Sequence, residues 1–456
     1  MNSYIRVITT LENEHGCTLR PATAGGHWRR GGNPSLDDVR RGAASGAATA
    51  LHRRRRLRAA APLVAITLLL LGANRANAQE TRAETIREQQ AGKQSVVAPP
   101  RRNRAEVIID RLEDWGFVTG QPRGSYPWFG SVFPGGGIAA GAGVRSPFGD
   151  DGAVNVFGGY SIDRFWRAEA NVELPTFAQN RARLTLSGRY IDAPDVKFYG
   201  IGNGTHKEDR TLFGYTPWGG GARLDFEASK YFSLGGGVNY LDIDTSTGRT
   251  APSIEDRFSS ADTPGLELDS FGYIHSTARA AFDWRRPAGY SGTGGLYRVQ
   301  FDDYRERDQD RYSFRSLEAE VRQLVPLLRA NWVLALRGLA TVTDIDETSA
   351  VPYFLLPSVG GGSTLRGYPD FRFRDRHRLV MNAEVRWTPA RFLDMALFYD
   401  TGKVASRRKD LDFDDLQDSY GIGMRIVGPR GYAFRVEVTQ SREHSARLLF
   451  GAGGTF

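Results

Sequence analysis

Arg366 is the residue whose surroundings in this sequence point most directly to a specific interaction. It lies in Gly360-Gly361-Gly362-Ser363-Thr364-Leu365-Arg366-Gly367-Tyr368, and the charge-dense run 370–376 follows. Three consecutive glycines form a supple hinge, since each tolerates backbone angles closed to other residues. A guanidinium can hold a carboxylate through two parallel hydrogen bonds, and later segments offer two candidates. Along 391–402, Leu393, Met395, Leu397 and Tyr399 share one face, while Phe392, Ala396, Phe398 and Asp400 share the other. The same alternation turns Glu384 to the Asp400 side. Asp400 is the expected partner of Arg366 and Glu384 the second choice; a solvated loop charge is the alternative. A shielded pair mostly offsets its own desolvation, so its expected role is to fix the loop's position.

Catalytic and metal chemistry find little footing. Beyond residue 78 the histidines are His206, His275, His377 and His444, each isolated. Gly289-Tyr290-Ser291-Gly292-Thr293 departs from the G-x-S-x-G nucleophile pattern at its last position. No metal-ligand spacing occurs. The expectation is a protein that is not an enzyme and uses no metal and no cofactor, with a hydrolase as the least favoured alternative.

The segments that must position Arg366 and its carboxylates alternate apolar and polar residues. Leu379, Met381, Ala383, Val385 and Trp387 face one way, opposed by Val380, Asn382, Glu384 and Arg386. Leu224, Phe226 and Ala228 alternate with Arg223, Asp225, Glu227 and Ser229. About fifteen or sixteen such segments have the length of a transmembrane strand. A soluble sandwich or propeller would alternate too. Ionised Arg, Glu and Asp in mid-strand instead suit a hydrated lumen, and aromatics fall near segment ends (Trp166, Tyr231, Phe232, Trp284, Trp332, Trp387) as interfacial girdles do. The predicted fold is all-β: a transmembrane antiparallel barrel of sixteen strands over 131–456, with the Arg366 loop folded into its lumen. Long polar excursions, 191–218 and 245–269, suit loops on one side of a membrane.

The N-terminal part reads as export machinery. Arg53-Arg54-Arg55-Arg56-Leu57-Arg58 precedes an apolar run from Ala59 to Leu71 and then Ala76-Asn77-Ala78, the pattern of a signal peptide cleaved after Ala78. The run is shorter than the ~20 residues of a spanning helix. The leader before it suits a start assigned too early. Residues 1–78 carry 12 of the 60 basic and 4 of the 52 acidic residues, leaving 48 of each in the remainder. The chain's basic pI therefore gives no argument for nucleic-acid binding. Its single cysteine, Cys17, also lies in the leader, so no disulfide is expected in the exported part. Residues 79–130 read as a periplasmic tail, short plug or linker, with an amphipathic segment at 105–115.

Leu365-Arg366-Gly367-Tyr368 after a triple glycine, followed by Phe398, Asp400 and Gly402 in Phe398-Tyr399-Asp400-Thr401-Gly402, resembles the bacterial surface-antigen barrel, the membrane domain of BamA/TamA-type outer-membrane assembly and translocation proteins. The first motif is similar to that family's sixth-loop tip and the second to its F-x-D-x-G strand. Phe198-Tyr199-Gly200-Ile201-Gly202-Asn203 is also similar to a segment of such barrels. The resemblance covers 136–456. It implies a cell outer membrane location, contact with outer-membrane lipid, a polypeptide or lipid cargo, and a loop-to-wall salt bridge through Arg366. Residues 79–130 are too few for one intact periplasmic POTRA module, which leaves room for a periplasmic accessory protein. A passive porin-like channel is the rival reading.

Two further features concern barrel closure. The segment taken as the first strand contains Gly135, Gly136, Gly137, Gly141 and Gly143, and the last contains Gly451, Gly453 and Gly454. Glycine leaves a strand with nothing to pack. The resemblance implies a lateral gate at this seam; the alternative is that glycine fits curvature or makes room for aromatics. Phe456, expected in phase with Leu448, Phe450 and Ala452, and Gly451 before it resemble the family's C-terminal assembly signal, although Gly454 stands where an apolar residue is usual.

Overall fold

The computed structural model describes residues 124–285, 292–308, 311–327, 331–390, 393–428, 431–452 and 456. The leader, the amphipathic segment 105–115 and Gly453 and Gly454 lie outside the described residues.

Sixteen strands follow one another in a single antiparallel sheet that curls into a nearly closed barrel. On one side of it stand β1 (Gly124–Gly130), β2 (Ala139–Phe148), β3 (Gly152–Ser161) and β4 (Trp166–Glu173). A taller wall follows: β5 (Ala182–Phe198), β6 (Thr211–Glu227), β7 (Phe232–Thr247), β8 (Ser270–Asp283), β9 (Gly294–Glu306), β10 (Phe314–Pro326) and β11 (Trp332–Asp344). Between β11 and the rest lies the 345–376 loop, which carries its own small ladder of β12 (Ser358–Val359) and β13 (Phe373–Arg374). The sheet resumes with β14 (His377–Ala390), β15 (Leu393–Ala405), β16 (Gln417–Gly428), β17 (Gly431–Ser441) and β18 (Arg447–Ala452).

The burial pattern is that of a membrane barrel. Val156, Val238, Val299, Leu397, Ile422 and Phe450 are exposed on the outer face. Arg167, Glu169, Glu320, Glu384, Asp400 and Arg425 are buried on the inner one. A soluble sandwich would place its apolar residues between layers, whereas here the outer face is apolar and the interior ionic. Aromatic pairs mark both ends of the strands. At the loop-rich end, Trp166 stacks on Tyr190 at 4.6 Å and Trp218 meets Tyr240 at 5.6 Å. At the turn end, Trp332 stacks on Trp387 at 5.5 Å and Phe282 on Tyr297 at 6.3 Å. Above the lumen, the long loops close over an apolar cluster that includes Phe198, Phe213, Phe271, Tyr353 and Phe354.

The barrel begins earlier than the expected boundary at residue 131. Gly124–Gly130 pairs with β2 from Gly124 opposite Arg145 to Gly130 opposite Ala139. The stretch expected within the first strand supplies the connection to β2 instead: Gly135 and Gly137 adopt φ of +78° and +71°, values that favour a turn at glycine. Among the described residues no ladder joins β1 to β18.

Val238 points outward from the interior of β7, so Val238→Arg is expected to destabilise the barrel by about 2–4 kcal/mol. Equilibrium unfolding in lipid vesicles measures this; an unchanged midpoint would show that the face does not meet lipid.

Candidate functional site

The Arg366 loop reaches into the lumen and is read there by one transverse row of polar side chains. Strand register aligns Asn382 with Asp400, Asp400 with Ser419, and Ser419 with Ser441 across β14 to β17. Each of the four touches the tip. Asn382 donates to the Thr364 carbonyl at 2.8 Å and to Asp400 at 2.8 Å. Ser419 accepts from the Gly367 amide at 3.1 Å, and the Ser441 hydroxyl donates to the Gly367 carbonyl at 3.0 Å. A Cβ at position 367 would stand 2.5 Å from that of Ser419 and 2.8 Å from that of Ser441, so only glycine lets the tip lie against the wall.

Arg366 itself is fully buried. Its Nε donates to Asp400 Oδ2 at 2.7 Å and its Nη2 to Asp400 Oδ1 at 2.5 Å, the two-pronged geometry expected of this pair. The backbone amide of Arg366 adds a bond to Asp400 Oδ2 at 3.2 Å. Nη1 reaches Glu384 Oε1 at 2.5 Å and Glu437 Oε1 at 3.2 Å. The two carboxylates considered as alternatives therefore act together, and Glu437 is a third. Phe398 lies flat beneath the guanidinium, with Cζ 3.5 Å from the ring centre, a cation–π contact shielded from water. Gly421 makes space for that ring, since a Cβ there would approach Phe398 to 2.6 Å.

Charge is balanced locally. Arg425 bonds Glu384 at 2.8 and 3.0 Å and Glu437 at 3.1 Å, while Arg386 takes the other Glu384 oxygen at 2.6 Å. Arg435 donates to the Gly362 carbonyl at 3.2 Å, tying the hinge to β17. Gly360 and Gly361 have φ of +128° and +83°, the left-handed geometry a hinge requires, whereas Gly362 is the Arg435 acceptor. Leu365 and Tyr368 flank Arg366 with apolar anchorage, buried among Leu339, Val359, Phe373, Val380 and Val404. Gly402 lets β15 approach β14, where a Cβ would lie 2.5 Å from the Leu379 carbonyl oxygen.

With this geometry in view, the sequence profile of the Omp85 superfamily domain matches residues 153–456. The chain belongs to the Omp85 superfamily. Among solved structures, this Omp85 barrel is similar to BamA from Haemophilus ducreyi lacking POTRA domains 1–3, at 15% identity and a TM-score of 0.55, over 77% of this chain and 78% of that one. CdiB from Acinetobacter baumannii follows at 13% identity and a TM-score of 0.45, over 73% of this chain and 55% of that one. No curated protein matches the sequence.

At the seam of this Omp85 barrel the glycines make room for specific neighbours, an aromatic among them, which is one of the two readings the sequence leaves open. A Cβ on Gly143 would enter the Tyr126 ring at 2.4 Å, and one on Gly451 would meet Arg435 Nε at 2.6 Å. Phe456 departs from the sequence expectation: it does not continue the outward phase of Leu448 and Phe450. Its ring lies over the inner-face arginines, 5.0 Å from Arg386 Cζ and 6.0 Å from Arg337 Cζ.

Arg366→Ala leaves the buried Asp400 without its ion pair and takes one partner from Glu384 and from Glu437. Breaking such a set costs about 3–5 kcal/mol, and the loop is expected to become open to protease cleavage within 345–376 while the barrel still assembles. Cleavage and heat-modified gel mobility read the two effects; a loop as resistant as the unaltered one contradicts the assignment. Asp400→Asn should act in the same direction with a smaller loss, about 1–3 kcal/mol, because Glu384 and Glu437 still hold the guanidinium. An unchanged melting midpoint for that variant would shift the anchoring role to Glu384.

Proposed function

We propose that this chain is an outer-membrane barrel that assists the insertion or translocation of polypeptides or lipids, and that the seam between β1 and β18 is where the cargo passes towards lipid. The observation that carries the reading is the tip of the 345–376 loop, held inside the lumen by a fully buried Arg366 on three carboxylates. A passive porin-like channel is not expected to pair a Leu365–Tyr368 tip with the Phe398, Asp400 and Gly402 strand that receives it. An element locked at one site and hinged at Gly360 and Gly361 instead suits a barrel whose wall must change shape around a constant internal brace.

The seam supports the same reading, since among the described residues no ladder joins β1 to β18. Outer-membrane lipid is then a direct partner, and a periplasmic accessory protein is the expected route by which cargo arrives. No step of this scheme calls on a catalytic group, metal or cofactor.

Cysteine pairs placed at facing positions of β1 and β18 test the seam, since the region beyond Cys17 has no other cysteine. Oxidation is expected to abolish the rescue of a depleted strain and reduction to restore it. Rescue that persists in the oxidised form favours a passive pore. Comparing the outer-membrane proteins and outer-leaflet lipids of the depleted strain identifies the cargo class.

A further inference from the structure

A second ionic cluster sits at the loop-rich end, beside the top of β18, and its charges do not balance. Lys197, near the upper end of β5, is half-buried and within electrostatic reach of Arg210 and Arg447, with Asp370 and Asp163 as the carboxylates nearby. Among the described residues neither Lys197 nor Arg210 has an ion pair. Arg447, the first residue of β18, approaches Asp370 only to 4.0 Å through Nη2, and its Nη1 is buried with no hydrogen-bond partner. His444, three residues earlier, likewise has a buried Nε2 with no partner, and it lies within reach of Arg447. The neighbouring Glu443 is already engaged, accepting from Arg372 at 2.8 and 2.6 Å. Tyr199 is within electrostatic reach of both Arg210 and Arg447.

Buried polar groups are as a rule satisfied, yet Arg447 Nη1 and His444 Nε2 each lack a partner. Lys197 and Arg447 share Asp370, which Arg447 reaches only at 4.0 Å, so the cluster holds more donors than that carboxylate serves. The donors arrive from the β5 end, the β5–β6 loop and the β17–β18 connection, so a two-oxygen carboxylate cannot satisfy them as well as a group with three acceptor oxygens. We propose that Lys197, Arg210, His444 and Arg447 form a phosphate-binding site at the outer mouth of the barrel, next to the seam. Two sources present this chemistry there: the phosphorylated headgroup of an outer-leaflet glycolipid, or free phosphate. The glycolipid source rests on the outer-membrane reading above, whereas the phosphate site itself does not.

The full-length exported protein, reconstituted in phosphatidylcholine nanodiscs, is titrated with inorganic phosphate. In parallel it is reconstituted with diphosphorylated lipid A or its dephosphorylated form, and binding is read by calorimetry and thermal shift. A thermal upshift with diphosphorylated lipid A alone identifies the lipid source. An equal response to inorganic phosphate identifies the soluble one. Lys197→Gln with Arg447→Gln is expected to weaken binding at least about tenfold, the loss of one or more charge-assisted hydrogen bonds. Arg210→Gln, at an exposed position with no ion pair among the described residues, gives a smaller loss and guards against misfolding of the double variant. No response to any phosphorylated probe, or unaltered binding by all variants, overturns the proposal. Either result leaves the seam-locking experiment untouched, so the two readings fail separately.

Discussion

The lumen of this barrel is organised by the cost of burying one guanidinium. A charge removed from water is tolerated only when its partners satisfy it, and Arg366 finds three carboxylates, one aromatic face and no exposure. Those carboxylates would repel one another without it, and Arg425 and Arg386 complete the neutralisation. The interactions are mutual: the loop needs the wall to be folded, and the wall's acidic face needs the loop. Such a network specifies position more than it adds stability, because each ion has surrendered its hydration.

Glycine placement follows from the same constraint. Gly421 accommodates Phe398 beneath Arg366, Gly367 lets the tip touch Ser419 and Ser441, and Gly451 leaves a path for Arg435. Arg435 in turn holds the hinge at Gly362. The last strand is therefore linked, through one arginine, to the third glycine of the hinge. Seam and loop are thus linked through the ionic interior.

Much of this was legible before the structure. A period of two places Asp400 and Glu384 on the inner face, because alternation depends only on local backbone geometry. The tip declares itself through Gly360–Gly362 and its cationic neighbour. Glu437 alternates with Val436 and Val438 and so falls on the polar face of its strand, yet its contact with Arg366 spans 71 positions. It requires the register of β14 through β17, which no local pattern supplies. The same holds for the Asn382–Asp400–Ser419–Ser441 row, whose members are unremarkable polar residues until pairing aligns them. Gly124–Gly130 escaped notice as a strand because Pro127 and the flanking glycines blunt its alternation. Phe456 was given the outward phase of Leu448 and Phe450, but its ring meets Arg386 and Arg337, an attraction the strand period cannot reveal.

The central claim is energetic coupling between a loop residue and a wall residue. A double-mutant cycle with Arg366→Met, Asp400→Asn and both together, followed by equilibrium unfolding in lipid, measures it directly. The account expects a coupling energy above about 1 kcal/mol, with the double variant less impaired than the sum of the single ones. Additivity within about 0.5 kcal/mol would contradict it and leave the loop held by its apolar flanks and its other hydrogen bonds.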